Sequence, residues 1–489
     1  MNAAPPFAAR AALAAAAALS LAVGLAPAAS AAPTTLVTTP GRSIDTPDPE
    51  RASALEAHGD ALLRADGSFG SFLEDPFGQR GSLGLLTYAA AGNSTQGLQD
   101  LTGTQSGSLG YPRIMLSGVE GYDWAWIPPD IRVARPGEPA DSNGAVRTAA
   151  ALIAVDDLGR IARTITIGGP DENYGGQLVA TGSGLRLLSQ ARGNTGTLLF
   201  DSRGRRVARL PQVSNPTGLV GRARGFLVSS YSTRPSWSQR LLQVSTAGKV
   251  SFVRDDRGNT ITADPLADTK HGVLLSMNEA RRLGLRSSEG KVTSRPIDQL
   301  GLPWSERCRA YPSATSRLDW AMNGPSGAPM VAVSCVVEAD RTEDILESFA
   351  VGLDRNLRAS WIAPLPVVAY GQRAPKPQLA PGGRLQVVGA SLSPLEARFS
   401  SWRAPGTPAS VRGRVMSVSG PGDEIVATIR CSRPAGSVCS GTANLSRGGA
   451  PVKVAYALKG RPGRRAAVIK RHFDRAPAGN GRLRVTLTK

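Results

Sequence analysis

Apolar runs and turn residues alternate along this chain in short, regular blocks. Within the middle of the chain an apolar run, an Asp or Ser turn, a Gly and a second apolar run recur in close succession. The copies are Leu152-Ile153-Ala154-Val155-Asp156 before Gly159, Leu198-Leu199-Phe200-Asp201 before Gly204, Leu241-Leu242-Gln243-Val244-Ser245 before Gly248, and Leu283-Gly284-Leu285 before Gly290. Those glycines stand 45, 44 and 42 residues apart. Short apolar runs bounded by Gly, Asp and Ser predict strands joined in hairpins. A fixed period of this size marks a repeat architecture.

The stretch 175–210 shows a whole unit. Gln177 to Ala180, Leu185 to Leu188, Thr197 to Phe200 and Arg206 to Leu210 read as four successive strands, with Gly182, Gly184, Gly193, Gly196 and Gly204 at the turns. The next units repeat the plan through Gly225 to Val228, Arg240 to Val244 and Lys249 to Val253, then through Val273 to Leu275, Leu283 to Leu285 and Lys291 to Thr293. Leu62 to Gly67, followed by Phe69 and Phe72, fits one more hairpin of this type. Four antiparallel strands per 42–45 residues is the length of one β-propeller blade. The expectation is an all-β chain whose residues 55–402 form about seven blades, within a range of six to eight. One insertion is expected around 115–146, and an enlarged unit over 308–366. The region resembles secreted bacterial β-propellers whose blades carry an aliphatic-Asp-x-x-Gly hairpin. That resemblance implies an architecture and no activity, because the fold hosts both binding proteins and enzymes.

Residues 1–31 read as a signal peptide: Arg10, an Ala/Leu/Val-rich stretch from Ala11, and Ala29-Ser30-Ala31 as the cleavage site. An uncleaved anchor is the alternative, disfavoured by Pro27 and the Ala-x-Ala end. Export is therefore expected, extracellular or associated with a cell wall, with no transmembrane segment after cleavage. Residues 32–54, rich in Thr, Pro, Ser and Asp, read as a linker. After Arg403 the pattern changes. Val411 to Val418, Glu424 to Cys431, Cys439 to Leu445, Val452 to Leu458, Ala466 to Ile469 and Leu483 to Leu487 are strand-like, several with period two, which predicts a small β-sandwich over 403–489.

Charge separates the same two regions. The net charge is +19, and residues 403–489 carry 17 Lys/Arg against 3 Asp/Glu, so +14 of it lies there. Such a surface attracts polyanions. For an exported chain these are cell-wall polymers, acidic polysaccharide, anionic lipid or extracellular nucleic acid; an anionic wall polymer is the expected partner and nucleic acid is not. A merely solubilising surface is the plainer alternative. The segment is similar to the immunoglobulin-like modules that end exported actinobacterial proteins, through Ile429-Arg430-Cys431, Cys439 to Leu445 and Arg482 to Leu487. That similarity implies a β-sandwich with a hairpin disulfide from Cys431 to Cys439, and no catalysis.

The chain has four cysteines, Cys308, Cys335, Cys431 and Cys439. An even number in an exported chain predicts disulfides. Three pairings are open, and pairing of neighbours keeps each bridge within one region. Zinc needs a tighter cluster, usually with histidines.

Candidate chemistry is sparse. His58, His271 and His472 lie in three separate regions, which excludes a His-rich metal site. A propeller lyase of the streptogramin type needs a loop His, and His271 is the candidate, against the plainer reading of a solvated turn residue. Gly324-Pro325-Ser326-Gly327-Ala328-Pro329 superficially resembles the nucleophile loop of chymotrypsin-like proteases. It has Pro325 in the Asp position and no upstream His motif, so it reads as a turn before a strand from Met330. Asp255-Asp256-Arg257-Gly258-Asn259 has some oxygens of a Ca²⁺ loop, but turn chemistry accounts for them. No cofactor and no metal is indicated. Tyr122-Asp123-Trp124-Ala125-Trp126 is the most suggestive cluster, placed in the insertion, with Tyr231 and Trp237 in another blade. Aromatic faces beside an Asp would stack on a glycan. The competing role is packing, because Trp124 and Trp126 share one strand face. The expected function is non-catalytic binding of a glycan or protein. The alternative is a secreted carbohydrate lyase or hydrolase working with loop carboxylates.

Overall fold

A strand whose apolar residues point both ways needs a neighbour on each side, and this chain supplies one sheet after another. The computed structural model describes residues 33–36 and 39–44, strand segments between 62 and 100, most of 114–191, 196–365 with short breaks, and strand segments between 377 and 488. Among these residues the chain forms seven successive antiparallel blades.

Blade 1 comprises Leu62–Leu63, Phe69–Glu74, Leu83–Tyr88 and Thr95–Asp100. Blade 2 comprises Ile114–Val119, Tyr122–Ile127, Ala150–Val155 and Ile161–Ile167. Blade 3 follows with Asn173–Thr181, Gly184–Ala191, Thr197–Asp201 and Arg206–Leu210. Blade 4 holds Pro216–Arg222, Gly225–Ser232, Ser238–Ser245 and Val250–Phe252. Blade 5 holds Asp264–Thr269, Gly272–Met277, Arg282–Arg286 and Val292–Pro296. Blade 6 has the longest strands: Thr315–Asn323, Pro329–Ala339, Thr342–Leu353 and Ala359–Pro364. Blade 7 is built from Gln378–Leu379, Arg384–Leu392 and Leu395–Arg403, with Thr39–Ile44 as its outermost strand. The first strands of blades 1 to 6 neighbour one another in order, as the inner strands of a propeller do.

The faces between blades are the core. Leu178 and Leu187 pack with Trp124 and Trp126 of blade 2, while Val179 and Leu188 pack with Phe226, Val228 and Leu242 of blade 4. The same alternation sends Leu227 and Leu241 toward Val273 and Leu275, and Leu274 toward Val331 and Phe349. Between blades 6 and 7, Met330, Ala350 and Trp361 meet Leu385 and Trp402. Burying both faces explains why these strands read as continuous apolar runs.

The recurring hairpin turn has one geometry. In Asp201–Arg205, Ser245–Lys249, Asp255–Asn259, Ser287–Lys291 and Asp354–Arg358 the first amide donates to the last carbonyl at 2.9–3.0 Å. The fourth residue returns its amide to the first carbonyl at 2.9–3.1 Å. The fourth residue takes positive φ, for example +86° at Gly248 and +58° at Leu357. An added Cβ at Gly248 would collide with Ala208 of blade 3. Leu357 stands where the other turns have glycine, and its side chain is fully buried in the core between blades 5 and 6. Asp201 Oδ1 accepts the Arg203 and Arg205 amides at 2.9 and 3.0 Å, and its other oxygen pairs with the Arg205 guanidinium at 2.7 Å. Asp255 and Asp354 cap their turns in the same way. The Asp255 geometry answers the Ca²⁺ question: the carboxylate is bonded to the Arg257 and Asn259 amides and to the Asn259 side chain.

Several sequence expectations change. The insertion of blade 2 lies after Ile127, where Ile131–Val133 pairs with Ala145–Arg147; Tyr122–Ile127 is a regular blade strand instead. Thr39–Ile44, within the stretch read as a linker, pairs antiparallel with Leu395–Arg403. Its Thr-Pro-Gly-Arg-Ser-Ile sequence carries no apolar alternation. The Leu36 amide also donates to the Ile362 carbonyl of blade 6 at 2.7 Å. The enlarged unit is stapled as expected, Cys308 of the helix Glu306–Ala310 being bonded to Cys335 on the second strand of blade 6. A turn precedes Pro329–Ala339, closed by the Gly324 amide donating to the Ala328 carbonyl at 2.8 Å.

Two three-stranded sheets follow the propeller, Gly413–Ser419, Ile425–Ser432 and Ala466–Phe473 in one, Val438–Ser446, Val452–Lys459 and Arg484–Thr488 in the other. Cys431 and Cys439 therefore sit on strands of different sheets rather than on a hairpin. Their side chains, and so their pairing, lie outside the described residues.

Gly248→Ala is expected to cost about 1–3 kcal/mol, from positive φ and the Ala208 contact, read as a lowered midpoint in urea unfolding. Asp201 contributes stability with a pH signature. Burial raises its carboxyl, but the Arg205 side chain and the two amides outweigh it and hold it below the ordinary 3.8. That contribution is complete above 3.8 and is lost as pH falls through the lower folded value. The stability gap between wild type and Asp201→Asn should thus be constant near neutrality and shrink in acid; a gap that widens in acid would contradict it.

Candidate functional site

Strand direction decides which loops share a face. In a four-stranded meander the first-to-second and third-to-fourth turns emerge at one end, and the second-to-third loops at the other. At the first end a cleft of about 360 Å³ opens between blades 4 and 5. Three chain segments build it: Arg222 at the end of the first strand of blade 4, the turn Asp268 to Val273, and the turn Arg286 to Ser288.

Backbone bonds position each side chain. Thr269 Oγ1 donates to the Gly272 carbonyl at 2.7 Å and accepts the His271 amide at 3.2 Å, which closes the Thr269-Lys270-His271-Gly272 turn. Gly272 carries φ +129°, and an added Cβ there would strike the Arg286 carbonyl. The Lys270 amide donates to the Gly327 carbonyl at 2.9 Å, and Asn323 Nδ2 to the Asp268 carbonyl at 2.5 Å, so blade 6 braces the turn from behind. The Lys270 side chain is exposed. Arg286 sends Nε and Nη2 to the Arg254 carbonyl at 3.2 and 3.0 Å, holding its guanidinium at the cleft wall.

The electrostatics are unbalanced toward positive. Arg222 and Asp268 form an ion pair at 3.5 Å, longer than a charge-assisted bond of about 2.7–2.9 Å. Burial raises the Asp268 carboxyl, against the opposing pull of Arg222. Burial and the neighbouring Arg222 both disfavour the charged form of Arg286. Burial, then Lys270 and Arg355, push His271 below its ordinary 6.5, only partly opposed by Asp354. His271 is accordingly neutral near pH 7, and it sits in a half-buried turn of this cleft rather than as a freely solvated loop residue.

One hydroxyl breaks the repeat. Ser245, at the matching turn of blade 4, accepts the Lys249 amide at 3.0 Å. Ser287 has the same backbone turn, yet its buried Oγ has no hydrogen-bond partner, and Ser287 lines the cleft.

The aromatic cluster is elsewhere and has another role. Trp124 and Trp126 are 0% exposed and pack between blades 2 and 3, so neither offers a stacking face. Trp124 Nε1 donates to the Val119 carbonyl at 2.8 Å, and the Trp126 indole lies against Gly176, where a Cβ would overlap it. Tyr122 is half-buried, edge-on to Trp124 at 5.9 Å, with Arg163 5.1 Å above its ring. Asp123 stands on the same strand opposite Val155, and its side chain lies outside the described residues. Tyr231 is half-buried on the second strand of blade 4, its amide bonded to the Ser214 carbonyl at 3.0 Å. Trp237 lies outside the described residues. The structure does not gather the described members of this set into one surface. Among the described residues no group of three His, Cys, Asp or Glu could hold a metal ion. No described helix is long and apolar enough to cross a membrane.

No protein-family model matches the chain, and no curated protein matches it. Solved propeller structures are similar in shape. BBS1N in complex with ARL6DN has a TM-score of 0.39 at 10% identity, covering 76% of this chain and 99% of that one. The Cps50 (Swd1) β-propeller domain of Myceliophteria thermophila has a TM-score of 0.36 at 11% identity, covering 75% and 100%. The Penicillium chrysogenum α-L-arabinanase complexed with arabinobiose has 0.35 at 11%, covering 75% and 98%. Likenesses of this size carry no functional information. Strand order and blade contacts define this chain as an all-β propeller followed by a small β-sandwich.

Trp126→Ala should destabilise the protein by about 3–5 kcal/mol, as removal of a fully buried indole does. Binding to a glycan panel, measured on the folded fraction, should be the same for wild type and variant; a selective loss of binding without a change in melting temperature would restore the stacking role.

Proposed function

We propose that this protein is an exported, non-catalytic binding scaffold. In this reading the propeller contacts a glycan or a protein, and the basic residues 403–489 associate with an anionic cell-wall polymer. The commitment of five described aspartates to architecture is the observation that carries it. Asp201, Asp255 and Asp354 cap turns. Asp264 is bonded to Ser229 and Thr217 across the interface of blades 4 and 5. Asp319 is tied to Arg317 at 2.8 Å and to Ser334, which meets Ser348 at 2.6 Å. A carboxylate whose oxygens are held by amides, hydroxyls and a guanidinium is poorly placed to take or give a proton to a substrate. The charge of +14 after residue 402 supports the polyanion part, and residues 1–31 support export.

Sedimentation of the mature chain with purified anionic wall polymer tests this. Binding should be strong near 0.01 M salt and largely lost near 1 M, as the screening length falls from roughly 30 Å to 3 Å. Release of reducing or unsaturated sugar ends from a panel of polysaccharides would overturn the non-catalytic reading. Salt-independent failure to bind would overturn the polymer part.

A further inference from the structure

We propose that the cleft between blades 4 and 5 is an oxyanion site, taking a carboxylate or phosphate group of the ligand. This deepens the binding-scaffold reading and rests on it. The cleft brings Arg222, Lys270 and Arg286 together against the single carboxylate of Asp268. The charges nearest on blade 6, Asp354 and Arg355, are opposite in sign, and Asp354 is occupied with its own turn. The cleft therefore keeps an excess of positive charge on partly desolvated walls, where Arg222 and Arg286 repel each other. An anion entering between them relieves that repulsion and meets the guanidinium N–H groups that are not used on the Arg254 carbonyl or on Asp268.

Ser287 supplies the second, independent observation. A buried hydroxyl without a partner is costly. The sister turns avoid that cost by bonding the first side chain to an amide of the turn, as Ser245, Asp201 and Asp354 do. At Ser287 the backbone turn is retained but the side chain is not used for it. Its hydroxyl is left buried behind the cleft wall as an unused neutral donor, which an acceptor-rich anion would engage once the side chain turns toward it. His271, held neutral by its surroundings, adds a further polar group to the rim without adding a fixed charge.

Calorimetric titration of the full chain with inorganic phosphate, glucuronate and glucose tests the assignment, with Lys270→Gln and Ser287→Ala as variants. Neither side chain takes part in a turn bond or in the core, so Lys270→Gln should melt with wild type and Ser287→Ala with it or above it. Wild type should bind phosphate or glucuronate and not glucose, and each variant should weaken that binding about tenfold, as loss of one charge-assisted contact does. Preference for phosphate points to a phosphodiester polymer, and preference for glucuronate to a uronate glycan; either supports the site. Absence of oxyanion binding, or equal binding by wild type and both variants, overturns it. Wall-polymer sedimentation separates the two levels. Retained polymer binding in both variants, with no oxyanion binding, removes the cleft and leaves the scaffold. Polysaccharide cleavage by wild type removes the scaffold.

Discussion

Leu178 and Leu187 face blade 2, while Val179 and Leu188, each one residue on, face blade 4. Strand geometry makes this unavoidable, since successive side chains leave a strand on opposite sides. A sheet that is apolar on both sides cannot stand alone in water. It must be covered twice, and here the cover on either side is another copy of the same unit. The rest of the molecule follows from that requirement. Turns must be short enough to keep neighbouring sheets in contact, and the residues at their tips are chosen by the blade they touch. Gly248 is small because Ala208 of the preceding blade is there.

The same hairpin turn, used repeatedly, makes its exceptions informative. At Leu357 the expected glycine is replaced, and the cost of positive φ is offset by a side chain buried without exposure between two blades. At Ser287 the backbone is conventional and the side chain departs from its sisters. The first departure belongs to packing, because its consequence is confined to the core. The second faces a cleft with uncompensated charge, so it belongs to chemistry.

Much of this architecture was legible in the chain. Gly159, Gly204, Gly248 and Gly290 mark the period, and the four strands of blade 3 fall where Gly182, Gly184, Gly196 and Gly204 separate apolar runs. What escaped has physical reasons. Thr39–Ile44 carries no apolar alternation, and its partner strand is remote in sequence, so nothing local announces it. Trp124 and Trp126 share a face by their spacing, but spacing does not say whether that face meets solvent or the next sheet. The cleft is assembled from Arg222, Lys270 and Arg286, three residues on separate turns whose proximity comes from blade stacking. Its one local signal was a Ser at the head of the last of the four recurring turns, which the sequence pattern equates with Asp.

Ile44 pairs with Ala397, a partner 353 residues further along the chain. Most of the blade strands bond to neighbours a few residues away and can form as the chain emerges. This strand cannot. It has no partner until the final hairpin exists, and until it pairs the outer edge of Leu395–Arg403 keeps its backbone donors and acceptors exposed. Loop-closure entropy rises only with the logarithm of length, so the fastening costs little more than a shorter one would. It is nevertheless non-local, and non-local pairing is slow. The pairing thus records completion of the last blade: a chain that lacks the final hairpin offers Thr39–Ile44 no partner, and a paired Thr39–Ile44 reports that the chain has been made as far as Arg403.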